Sequence, residues 1–225
     1  MSEIMPMELA ENLIEFCENR ARVYTLLSRC YESEVGASFA AELAQANGIE
    51  SDDSKVAAEF TLLQEALEDC DEARIEQLAV VFNRAFFGMG PRTAQKAFPY
   101  ESVYTSEGGL MMQDAYSEVL QVYRSANFTK NPDFTEPEDH VAVELAFMAL
   151  LCERAVEALQ GGNEEAAERS LAVQRSFLQQ HLLNWIAPFA RDVRAAAENG
   201  FYVHLASFTE VYLCADEQAL SEVLD

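Results

Sequence analysis

The apolar residues of this 225-residue chain recur at three- and four-residue steps almost from end to end, and its prolines and glycines gather where that rhythm breaks. A period near 3.6 gives a segment one apolar face only if it is helical. The period-2 alternation of half-buried strands is absent from the sequence. The spacing predicts a first helix over 7–32, with Leu9, Leu13, Phe16, Tyr24, Leu27 and Tyr31 on its inner face. A short helix over 37–46 stops at Asn47-Gly48, where glycine supplies a C-terminal turn. Ser51 or Asp52 can cap a third helix that turns Phe60, Leu63 and Leu67 inward, and Asp71 a fourth that runs to about Phe87. From Gly88 to Gly109 the pattern fails: this stretch holds two prolines and four glycines, and loops of that length in compact domains are usually functional. Helical spacing resumes over 110–126, 135–160, 164–183, 189–198 and 201–213. The expected fold is all-α, a single-domain bundle of about ten helices. Its N-terminal half spans about 1–87, its connecting loop 88–109 and its C-terminal half 110–225.

Charge narrows the function. Fifteen basic against 39 acidic residues give a net charge of −24, which repels nucleic-acid backbones and anionic lipid heads and favours a basic partner. With half its residues hydrophobic the chain is no disordered acidic tail. Five scattered cysteines without a CxxC pair suggest neither a disulfide framework nor a zinc knuckle. The acidic N-terminus lacks the pattern of an export signal, and the longest apolar run, 141–152, is too short to span a bilayer and contains Glu144. A reduced, soluble, cytoplasmic protein is expected.

Three segments could carry chemistry. In Thr135-Glu136-Pro137-Glu138-Asp139-His140, Thr135 and Glu138 have capping-box spacing and Pro137 suits a first helical turn. His140 lies four residues from both Glu136 and Glu144, so a helix there would put all three on one face. That leaves open a helical enzyme with a carboxylate–histidine site, with or without metal, at Glu136, His140 and Glu144. The Glu-x-x-His spacing of carboxylate-bridged metal sites fails, because Pro137, Leu178 and Phe201 stand three residues before the three histidines. No Gly-x-Ser-x-Gly elbow or phosphate loop occurs. The second segment, Phe98-Pro99-Tyr100-Glu101-Ser102-Val103-Tyr104 with Gly108-Gly109-Leu110-Met111-Met112, could line an adaptable apolar groove. The third, from Phe177 through His181 to Trp185 before Pro188, is core by its spacing.

Together these segments, with Phe86-Phe87-Gly88 before the loop, resemble the TorD/DmsD family of cytoplasmic chaperones for molybdenum-containing anaerobic oxidoreductases. Glu136-Pro137-x-Asp139-His140 is the most specific element, and order and spacing fit from about residue 16 to 212. The resemblance implies a TorD-like helical fold and a task without catalysis. The protein would bind the twin-arginine leader, and the body, of a molybdoenzyme catalytic subunit, holding it for cofactor insertion before export. The molybdopterin cofactor or its biosynthetic proteins would be further partners, and no resident cofactor or metal is implied. Carried over by position, the leader surface takes in Phe86, Pro99, Tyr100, Glu136, Pro137, Asp139 and His140; the neighbouring Glu101, Ser102, Tyr104, Met112 and Glu138 complete the expected peptide-binding set. Tyr100 departs from the Trp found in many members, which bears on client preference.

Overall fold

The computed structural model describes residues 7–49, 51, 53–89, 95–198 and 200–224. Ten α-helices and one π-helical turn follow one another: α1 (Met7–Glu32), α2 (Ala37–Ala44), α3 (Ser54–Glu65), α4 (Glu72–Phe86), α5 (Glu101–Thr105), α6 (Asp114–Ser125), α7 (Val141–Gln160), α8 (Glu164–Phe177), the π-turn Leu178–Leu182, α9 (Leu183–Ala197) and α10 (Phe201–Leu224). No strand forms among the described residues, and no helix there is long and apolar enough to cross a membrane.

The central element is α7. Twelve of its residues are buried, from Val141 to Leu159, so it needs partners on nearly every side. Its chief partner is α1, which lies along it and buries Cys17, Tyr24, Leu27 and Tyr31; α8 covers a second flank. The other large contacts join α10 to α9 and α3. One continuous core runs through all of these helices. The Cys30 and Cys152 thiols lie in it, and burial pushes both up to about 12, which leaves them unreactive at neutral pH.

Local signals account for several ends. Asp71 accepts the Arg74 N–H as the cap of α4, as expected. The cap of α3 is Asp53, which accepts from Lys55 N–H, rather than Ser51; Asp52 lies outside the described residues. Other expectations need correction. The helix expected from residue 135 begins only at Val141, so the Thr135–Glu138 capping box does not form. The 88–109 loop contains the one-turn helix α5. The break expected near Trp185 is absent: α8 passes through the π-turn, where the Leu183 N–H reaches back to the Leu178 carbonyl, and α9 continues through Pro188. Pro188 removes the donor for the Asn184 carbonyl, yet α9 continues through it; Asn184 is exposed, which leaves that carbonyl's side of the helix turned to solvent. Finally, α10 runs on to Leu224, well past residue 213.

Candidate functional site

The loop and the segment before α7 cross as an antiparallel pair at Tyr100 and His140. Glu101 N–H donates to the Asp139 carbonyl and Val141 N–H to the Pro99 carbonyl, each at 2.9 Å. Two helices therefore start side by side, and each needs acceptors for its free N–H groups. Asp139 serves α5 across the crossing, its Oδ2 accepting the Ser102 N–H at 3.1 Å. His140 serves its own helix, with Nδ1 accepting the Ala142 N–H at 3.1 Å. An accepting Nδ1 requires the neutral ring. Burial, aided by the Lys130 charge, accordingly holds the imidazole down at about 3. The edge-on rings of Tyr100 and Phe134 contact it at 5.2 and 5.0 Å between centroids.

Beneath the crossing lies a buried polar layer. Glu101 takes the His181 Nδ1–H at 3.0 Å, and Glu144 Oε2 takes the Trp185 indole N–H at 3.2 Å. The Ser102 hydroxyl accepts the Gln113 N–H, which ties the entrance of α6 to α5. Tyr104 stacks on Trp185 at 5.6 Å. Burial raises the Asp139 carboxyl, while hydrogen bonds from Ser102 favour its charged form; its Oδ1 meets no partner in hydrogen-bond geometry. Glu144 is raised well above the carboxylate range, first by burial and then by Glu101 and Asp139.

The outer layer is half-buried or exposed. Glu136 accepts the Tyr100 hydroxyl at 2.5 Å, and the Lys130 ammonium donates to the Glu136 carbonyl and lies 3.8 Å from Glu138. Apolar side chains of the loop are exposed as well: Phe87, Met89 and Phe98 at one end of it, Leu110, Met111 and Met112 at the other.

The twelve expected residues thus divide by depth. Pro99, Tyr100, Glu101, Ser102, Asp139 and His140 meet in the crossing and are buried; Tyr104, Glu136, Pro137 and Glu138 are partly exposed around it; Met112 is exposed. Phe86 lies in the core between Tyr31, Phe82 and Tyr202, and its neighbour Phe87 reaches the surface instead. The carboxylate–histidine site of an enzyme does not assemble. Residues 135–140 are not helical, Glu136 turns to Tyr100, His140 caps α7, and Glu144 turns to Trp185. Among the described residues no group of three potential metal ligands comes together. The pair that does form is Glu101–His181, and neither its closeness nor the supporting roles of Trp185 and Phe134 was read from sequence. The four-residue step from His181 to Trp185 was the available signal, because it puts both on one side of the α8–α9 junction.

Residues 49–191 match the family described as nitrate reductase delta subunit. The TorD chaperone of Vibrio cholerae is 30% identical over 218 residues, 92% of this chain and 94% of that one. That of Shewanella loihica is 28% identical over 89% of this chain and 92% of its own length. The TorD chaperone of Vibrio atlanticus is 33% identical over 125 residues, a match spanning only 57% of that relative. The chain belongs to this family of TorD-like chaperones, and its role is a chaperone's rather than an enzyme's.

Proposed function

We propose that this chaperone works in the cytoplasm on a molybdenum-containing oxidoreductase, binding its twin-arginine leader and holding the apoenzyme until its cofactor is inserted. The observation that carries this reading is that the loop whose Tyr100 bonds to Glu136 exposes six apolar side chains, Phe87, Met89, Phe98 and Leu110–Met112, while Glu136 and Glu138 are half-buried. Such a leader has two adjacent arginines followed by an apolar stretch. Guanidinium groups pair with carboxylates in forked hydrogen bonds, and methionine-rich surfaces adapt to varied apolar segments. The net charge of −24 draws in a basic peptide. On this reading Glu136 and Glu138 face the arginines. Asp139 and His140 act through the crossing they hold together, and Pro99, Glu101 and Ser102 give the loop its shape.

The test is calorimetric titration with a leader peptide bearing paired arginines, beside a control in which both are lysine. Lysine lacks the guanidinium fork. Preference for arginine, lost in a Glu136→Gln/Glu138→Gln double variant, supports the reading. Equal affinity for the two peptides would leave only a generally acidic surface.

A further inference from the structure

The polar layer beneath the crossing has an oxygen too many. Glu144 is fully buried, and Glu101 is 2% exposed. Glu144 Oε2 has its donor in Trp185, whereas Oε1 faces no N–H or O–H donor. The Glu101 carboxyl, held by His181 as Glu144 is held by Trp185 one turn further on, faces Glu144 closely enough to raise it by charge and by hydrogen bonding. Two carboxylates are acceptors only and cannot bond to one another; one proton between them removes both the repulsion and the orphaned oxygen. Which carboxyl holds it follows from the other partners. Glu101 has a second partner in His181 Nδ1, at 3.0 and 3.3 Å from its two oxygens, which Glu144 lacks. Glu144 faces groups that oppose a negative charge, Glu101 on α5 and Asp139 before α7, with the neutral Trp185 indole on α9 in its favour and the neutral Tyr123 phenol on α6 beside it.

We propose that Glu144 is a positioning residue of the peptide surface: as the protonated acid it donates a hydrogen bond to Glu101 and clamps α5, with Tyr100 at its start and Tyr104 on it, against α7 and α9. Loss of that proton places two charges in one buried layer and pushes α5 outward. Leader binding is then strongest when the clamp is protonated and weakens toward alkaline pH.

The inference rests on the leader reading only for its affinity arm. A second arm is independent of it, because Trp185 is the chain's only tryptophan, donates to Glu144 and stacks on Tyr104 of α5. Its emission therefore reports the seating of α5. The experiment compares wild type, Glu144→Gln and Glu144→Ala from pH 5.5 to 8.5, following Trp185 emission and titrating the paired-arginine leader peptide. Glutamine keeps a neutral donor toward Glu101 and an acceptor for the indole. In wild type, Trp185 emission should shift as pH rises and leader affinity should fall at least fivefold. Glu144→Gln should match wild type within about twofold at pH 5.5 and stay flat in both readouts, since the amide does not titrate. Glu144→Ala should show displaced emission at every pH and at least tenfold weaker binding. Matching pH profiles for wild type and Glu144→Gln would overturn the clamp, and so would wild-type emission and affinity in Glu144→Ala. Should Glu144→Ala fail to fold, the wild type–Glu144→Gln comparison decides alone. Should no form bind the peptide, the leader reading falls and the clamp is judged on Trp185 emission.

Discussion

At the scale of single residues, His140 caps α7 and Glu144 lies in its first turn, and the two respond to protons with opposite sign. Folding holds His140 at about 3 against 6.5 for the free side chain. The unfolded chain therefore binds a proton that the folded one refuses, and stability falls as pH drops from about 6.5 toward 3. Glu144 is raised above its free value of 4.5. Its contribution is complete below that value and is lost as pH rises through the folded pKa. Between 4.5 and 6.5 the two slopes oppose one another. We expect His140→Asn, which keeps a good capping side chain, to remove the histidine limb, so that stability rises less with pH across that window than in wild type. The difference in slope should approach about 1.4 kcal/mol per pH unit, the value for one proton. Urea unfolding at pH 4.5, 5.5 and 6.5 measures it, and parallel pH dependence in the two proteins would refute the assignment of a neutral, capping imidazole. His140 also shows what sequence could not convey. Its spacing from Glu136 and Glu144 was legible, but the spacing means a shared face only inside a helix, and the helix starts one residue later.

At the scale of elements, legibility followed the length of the periodic run. The C-terminal end of α1 and the cap of α4 could be read directly, since many apolar positions or a strong capping residue fix them. The turn before α7 carries every mark of a helix start, yet Asp139 and His140 put their acceptors to work on two different helices. That choice depends on the loop 40 residues earlier, which no local pattern reveals. The π-turn and α9 were missed for a related reason: Pro188 breaks a helix only where its freed carbonyl cannot be rehydrated. Met112 provides the prediction at this scale. It stands two residues before α6, is 56% exposed and has φ +57°, a left-handed conformation costly for a side chain with a Cβ. A residue kept there against backbone preference is expected to serve the surface rather than the fold. Met112→Gly should raise stability by about 1 kcal/mol, because glycine adopts this conformation freely. Leader affinity should fall at least threefold in the same variant. Thermal unfolding paired with calorimetry checks both signs, and unchanged affinity would remove Met112 from the binding surface.

At the scale of the whole molecule, the first and last helices are joined by a buried ionic fork that periodicity did not disclose. Arg20 on α1 donates through Nε to Asp216 Oδ1 at 2.5 Å and through Nη2 to Oδ2 at 2.9 Å, while Nη1 donates to Gln174 on α8. The Tyr24 hydroxyl donates to the same carboxylate at 2.5 Å. Arg20 is 4% exposed and Asp216 5%, so neither charge has water to fall back on. An arginine in the inner half of α1 and an aspartate near the end of α10 look, one at a time, like ordinary interruptions of an apolar face; only the fold brings them together across 196 residues. The pairing gives α1 and α10 a directional, charged bond beside the neutral Tyr31–Thr209 hydrogen bond that also joins them. Breaking a buried pair leaves the surviving charge without compensation, at a cost of about 3–5 kcal/mol, whereas replacing both partners by apolar side chains can be nearly neutral. We therefore expect Asp216→Leu to lose about 3–5 kcal/mol by stranding Arg20. The Arg20→Met/Asp216→Leu double variant should recover a large part of that loss, although Tyr24 and Gln174 then lose a partner each. Denaturant unfolding of the wild type, both single variants and the double variant closes the cycle. Losses that simply add would mean that the fork carries no coupling, and that α1 and α10 are held by their other contacts alone.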